Sequence, residues 1–117
     1  MTAAAEKLDA TLAALADPSR RGVVDLLRKR PRRAGELARA LELSAPAMSR
    51  HLRVLREAGL VEEGDSDAPD DNRVRVYQLR RQPFTSLRAW TEEVEQFWGA
   101  QLESFAAHVE KRGRERK

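Results

Sequence analysis

Ser49 and His51 stand two residues apart in "SAPAMSRHLRVLREAGLV", residues 44–61. A serine beside a histidine is the pairing that nucleophilic acyl transfer uses. The surrounding sequence, however, reads as a helix. Ser44 suits an N-cap, Pro46 fits the first turn, and Gly59 suits a C-terminal cap. On a helix, residues two apart point roughly 160° away from each other. The Ser49 hydroxyl and the His51 imidazole therefore cannot share a proton while the helix is intact. No carboxylate is obviously placed to orient His51 either, so no catalytic residue is expected and the chain does not read as an enzyme.

Other site chemistries fail on the same inspection. The chain has no cysteine and two histidines, His51 and His108. This excludes thiolate chemistry and disulfides and leaves a nitrogen-ligand zinc site unsupported. The acidic run "DSDAPDDN", residues 65–72, invites comparison with a calcium loop. Counted from Asp65, the fifth, sixth and twelfth places hold Pro69, Asp70 and Val76. An EF-hand needs Asp or Asn, then Gly, then Glu there. The run reads instead as a solvated turn, and no metal or other cofactor is expected.

The helix around Ser49 fits binding better. On a helical wheel Met48, Leu52 and Leu55 fall within roughly 60° of one another and form the core side. Pro46, Ser49, Arg50 and Arg53 spread over roughly 100° on the opposite side, with Arg56 beside them. Arginines on such a face reach guanine edges or phosphates, and Ser49 reaches either. His51 lies at the edge of the core side, where a packing role and a DNA-backbone contact are both open. The charge map agrees with a polyanion partner. Residues 18–56 hold eleven Arg and Lys against three Asp and Glu, a local net of +8 in a chain whose net charge is only +3. Residues 57–110 carry a net of −7, and the last seven residues, "KRGRERK", are basic again.

These residues need elements to position them. "AAAEKLDATLAAL", residues 3–15, reads as a helix with Leu8, Leu12 and Leu15 at helical spacing. Asp17 and Pro18 open a second helix that Pro31 stops, with Val23, Val24, Leu26 and Leu27 on its apolar side. A third, short helix in "RAGELARALEL" turns Leu37, Ala38 and Leu41 inward and meets the Ser44 helix through a tight connection. Such a pair is a helix-turn-helix. "LVEEG" and "RVRVYQL" read as a β-hairpin with a long polar tip. In the second strand Val74 and Val76 share one side, while Arg73, Arg75 and Tyr77 share the other. Leu79 is out of phase with the valines, where the strand is expected to end or bulge. Pro83 closes the hairpin, and a long amphipathic helix follows to about Arg112. Its apolar stripe comprises Leu87, Trp90, Val94, Phe97, Trp98, Leu102, Phe105 and Val109. The order is α-α-α-α-β-β-α: a mostly helical fold with a β-hairpin wing, one domain over residues 1–117. No apolar run reaches the roughly 18–20 residues of a membrane span. Nor does the N-terminus read as a signal peptide, and a cytoplasmic location is expected.

The segments "LADPSRRGVVDLL", "GELARALELSAPAMSRHLRVLREAGLV" and "RVRVYQL" together resemble the ArsR/SmtB family of winged helix-turn-helix transcriptional regulators over about residues 10–80. The resemblance implies a homodimeric repressor on a near-palindromic operator in double-stranded DNA. It places Ser44, Ala45, Pro46, Ser49, Arg50 and Arg53 in the major groove and makes the hairpin the wing. Arg20 and Arg21 are then candidates for the DNA backbone, together with His51, and Arg73 and Arg75 for the backbone or the minor groove. The terminal helices, residues 3–15 and 84–112, would form the dimer interface through Leu8, Leu12, Trp90, Val94, Phe97, Trp98, Leu102 and Phe105.

Metal sensing is not expected. The family's thiolate motif falls on Arg33, Ala34 and Gly35, and the position three after His108 is Lys111. The last helix is similar to that of the metal-independent branch, whose "W…FW…L" pattern matches Trp90, Phe97, Trp98 and Leu102. The sequence names no inducer. An alternative class, a winged-helix module for a protein partner, would use the acidic wing and the aromatic helix. The outward cluster of Ser49, Arg50 and Arg53 argues against it, because protein interface cores are depleted of charge.

Overall fold

The computed structural model describes residues 2–65 and 75–115. Its elements follow the expected order: α1 (Ala3–Leu15), α2 (Pro18–Leu27), α3 (Ala34–Ala40), α4 (Ala45–Glu57), β1 (Val61–Asp65), β2 (Arg75–Leu79) and α5 (Arg81–Glu115). Packing of the backbone divides the chain into two units, Met1–Thr85 and Ser86–Lys117.

The first unit is built around one small core. Val23, Leu27, Leu37, Met48, Leu52, Leu55, Leu60 and Val61 are buried, with Ala14 and Ala38 between them. Each of the larger side chains contributes about 1.5–3 kcal/mol by leaving water. Leu15, Leu41, Leu43, Tyr77, Leu79 and Phe84 pack around this set. In α1 the inward residues are Thr11 and Ala14, and the Thr11 hydroxyl donates to the Lys7 carbonyl at 3.0 Å. Leu12 stays exposed and Leu8 is half-buried.

Helix starts follow the capping residues. Thr2 Oγ1 accepts the Ala5 amide at 3.2 Å. Asp17 Oδ1 accepts the Ser19 and Arg20 amides at 2.8 and 3.1 Å. The bond from the Arg20 amide is the main reason the Asp17 carboxyl sits below the usual carboxylate range. The stops differ more. α2 ends at Leu27 rather than at Pro31, because Arg28 to Arg30 leave the helix in a turn. A proline disfavours helical geometry in the residue before it, so the chain unwinds ahead of Pro31.

β1 and β2 pair antiparallel, from Val61 opposite Leu79 to Asp65 opposite Arg75. β2 ends at Leu79, the first of the two expected outcomes, and without a bulge: Leu79 pairs in register and packs on the core beside Tyr77. The core-facing set of β2 is therefore Tyr77 and Leu79, the phase opposite to Val76. A pairing not read from the sequence adds to the hairpin. Arg32, between α2 and α3, exchanges both backbone hydrogen bonds with Tyr77, at 3.1 and 2.8 Å. β2 is thus held on both edges at its midpoint.

The second unit consists of the α5 residues from Ser86 onward. Trp90, Val94, Phe97, Trp98, Leu102, Phe105 and Val109 are all exposed. Phe97 and Trp98 meet edge to face, with ring centroids 6.0 Å apart. No helix among the described residues is long and apolar enough to cross a membrane.

Candidate nucleic-acid interface

Two turns of the same type aim α4. At the end of α3, the Glu42 amide bonds the Arg39 carbonyl at 3.3 Å and the Leu43 amide bonds the Ala38 carbonyl at 2.9 Å. At the end of α4, Gly59 bonds Arg56 and Leu60 bonds Leu55, each at 2.9 Å. Both are Schellman closures, which need a left-handed residue. Gly59, at φ 80°, meets that need without a Cβ penalty, whereas Glu42, at φ 55°, carries a strain of about 1–2 kcal/mol. The helix-turn-helix connection is therefore closed by a strained glutamate. Ser44 follows at once and caps α4, its Oγ accepting the Ala47 amide at 3.2 Å. Gly22 lets α2 approach this corner: a Cβ there would lie 2.9 Å from Leu41 Cδ2.

α4 divides as the wheel predicts. Met48, Leu52 and Leu55 are buried, while Ser44, Ala45, Pro46, Ser49, Arg50 and Arg53 are exposed. His51 is half-buried, with Nδ1 3.5 Å from an Arg20 guanidinium nitrogen.

The structure sorts the expected cationic residues by how they are engaged. Arg20 donates from Nε to the Ala14 carbonyl at 2.6 Å and from its terminal nitrogen to Ala13 at 3.3 Å. Arg21 donates to the Leu15 and Ala16 carbonyls at 2.9 and 3.1 Å. These two side chains bond carbonyls at the C-terminus of α1, of which Ala13 also accepts the Ala16 amide at 3.3 Å. Arg75 pairs with Glu63 at 3.2 Å, and Arg56 pairs with the same carboxylate at 2.8 Å. Arg50 and Arg53 have no hydrogen bond or ion pair among the described residues. Arg73, a further candidate, lies outside the described residues.

Glu63 is the residue that the sequence reading passed over. It sits opposite Tyr77 across the ladder, within reach of Arg56 from α4. The Tyr77 hydroxyl donates to its Oε1 at 2.9 Å. Burial first, and this bond second, push the phenol above its usual range. Ser49, Leu52, Arg53, Arg56 and Tyr77 line one shallow cleft between α4 and the wing. No group of three or more metal-ligating side chains occurs among the described residues.

A helix-turn-helix whose second helix presents serine and unpaired arginines, followed by a short antiparallel hairpin, defines a winged helix-turn-helix DNA-binding domain. The comparisons with known proteins agree. The model of the bacterial regulatory protein arsR family matches residues 17–63. The chain is 42% identical over 100 residues to the HTH-type transcriptional regulator Rv2034 of Mycobacterium tuberculosis, covering 86% of each chain. It is 36% identical over 50 residues to the transcriptional repressor SdpR of Bacillus subtilis, covering 43% of this chain and 56% of that one. The crystal structure of the ArsR family transcriptional regulator RHA00566 superposes with a TM-score of 0.70 at 30% identity, over 85% of this chain and 97% of that one. The chain belongs to the ArsR family of transcriptional regulators, a family of DNA-binding proteins rather than enzymes.

Proposed function

We propose that the protein is a homodimeric transcriptional repressor of the cytoplasm, working without a bound metal, that reads a near-palindromic operator with α4. The observation that carries this reading is the outward side of α4. Ser49, Arg50 and Arg53 are exposed there, and neither arginine is engaged among the described residues. In this reading Arg50 and Arg53 reach guanine edges or phosphates, and Ser44, Ala45, Pro46 and Ser49 line the groove contact. Arg20 and Arg21 offer the backbone only the donors left over from α1. His51 sets the Arg20 side chain, and Arg73 and Arg75 meet the backbone at the wing.

Dimerisation is supported by the stripe on α5. Phe97, Trp98, Leu102 and Phe105 are 59–67% exposed. Burying that exposed share of all four on two copies contributes about 8–15 kcal/mol, at about 1.5–3 kcal/mol per fully buried side chain. Association costs about 4–15 kcal/mol, so Trp90, Val94 and Val109 matter to the balance. Leu8 and Leu12 of α1 belong to the same proposal. Two copies would set half-sites about one helical turn apart. Repression is supported by the likeness to SdpR. Metal independence is supported by the absence of cysteine and by a last helix whose one histidine, His108, has Lys111 three places on.

Fluorescence anisotropy with DNA from immediately upstream of the gene, beside scrambled DNA, tests the reading. Tighter binding to the upstream DNA is expected, and Arg50→Ala should remove about 10- to 100-fold of it together with most of the sequence preference. Equal binding of Arg50→Ala and wild type to the upstream DNA would remove α4 as the reader.

A further inference from the structure

We propose that Glu63 is an internal mimic of a DNA phosphate, which holds Arg56 and Arg75 back from the DNA backbone and so lowers affinity for random sequence. The inference rests on the reading that α4 and the wing face DNA. Three donors from two elements converge on this carboxylate. Arg56, from the last turn of α4, reaches Oε1 at 2.8 Å. Arg75, from β2, reaches Oε2 at 3.2 Å, and the Tyr77 hydroxyl donates to Oε1 at 2.9 Å. The Glu63 side chain is 22% exposed, while those of Arg56 and Arg75 are 52% and 72% exposed. The acid is thus tucked in and the two cations stand at the surface. Arg56 also lines the cleft that contains Ser49 and Arg53, which puts the pair beside the reading face of α4.

Magnitudes separate this role from a purely structural one. Pairs with so exposed a guanidinium contribute only about 0–1 kcal/mol to folding. In DNA binding the same cations count for more, because each phosphate neutralised adds roughly 0.9 to the slope of log affinity against log salt. Carboxylate and phosphate oxygens accept the same charge-assisted N–H bonds from a guanidinium, so one N–H cannot serve both fully. At a specific site the operator backbone competes with Glu63 for Arg75. On random DNA the carboxylate keeps it.

The test is binding to a random-sequence duplex by anisotropy between 50 and 200 mM salt, comparing wild type with Glu63→Gln. The expected slope is steeper in the variant by up to about 1.8, which is roughly 12-fold more affinity lost across that range, with tighter binding at the low-salt end. Glu57→Gln makes the same charge change beside Arg56, at a residue with no ion pair among the described residues, and should leave the slope unchanged. Adding Glu63→Gln to a chain already carrying Arg56→Ala and Arg75→Ala should not steepen it either. An unchanged slope in Glu63→Gln overturns the proposal, as does steepening that survives without the two arginines. Should Glu63→Gln fail to fold, Arg56→Ala and Arg75→Ala on the wild-type background decide it. Unchanged slopes support the proposal, and slopes shallower by about 0.9 each contradict it. Wild type that binds no DNA at all fails at the earlier step, in the DNA-binding reading itself.

Discussion

α4 and α5 are both amphipathic, yet they end in opposite states. α4 keeps Met48, Leu52 and Leu55 at 3% exposure or less, while α5 leaves Phe97, Trp98, Leu102 and Phe105 at 59% or more. The apolar side of α4 is covered by its own chain, so its polar side is set as a fixed surface. The stripe on α5 is an exposed patch of large side chains, the kind that marks an interaction surface rather than a finished fold. One helix therefore works within the protomer, and the other is proposed to work between protomers.

The largest effect that would break this contrast comes from paired aspartates at Phe97 and Trp98. They should raise the dimer dissociation constant by a thousandfold or more, since they remove aromatic burial worth about 1.5–3 kcal/mol per side chain from both copies. Circular dichroism should still report a folded first unit. Size-exclusion chromatography with light scattering checks the mass.

Truncations in the two helices should have different effects. Leu55→Ala opens a cavity in the first unit and should cost about 2–5 kcal/mol of unfolding free energy, read by urea denaturation. Leu102→Ala should leave the folding of the first unit unchanged and weaken only the dimer. If Leu102→Ala destabilised that unit as much as Leu55→Ala does, the stripe would be core.

Smaller effects belong to the turns that aim α4. Ser44→Ala should cost about 1 kcal/mol through loss of the N-cap. Glu42→Gly should stabilise by about 1 kcal/mol, because glycine adopts the left-handed conformation without strain. Thermal melts read both. The smallest effect is electrostatic. The Asp17 carboxyl is held below its usual range, chiefly by the Arg20 amide. Its contribution is full above the ordinary carboxylate value and fades as pH falls through the depressed one. Wild type should therefore exceed Asp17→Asn in stability at neutral pH, and the gap should close in acid.

The legible parts of this fold carry local signals. Asp17–Pro18, Ser44 and Gly59 are capping residues whose meaning depends on a few neighbours. The buried and exposed sides of α4 follow from periodicity alone. What stayed hidden depends on partners distant in sequence or on strain. Glu42 gives no hint that it takes a positive φ. Arg20 and Arg21 look like free cations until α1 folds back and offers them its carbonyls. The Arg32–Tyr77 bridge joins residues 45 positions apart in the chain. Pro83 suggested a later start for α5, but it sits in the first turn, where its missing N–H does no harm.

Sedimentation equilibrium of the full chain at micromolar concentration decides whether the α5 stripe joins two protomers. A species of twice the 13.2 kDa chain mass is expected, and one chain mass once Phe97 and Trp98 are aspartate. A wild-type protein that stays at one chain mass and still binds upstream DNA selectively would contradict it.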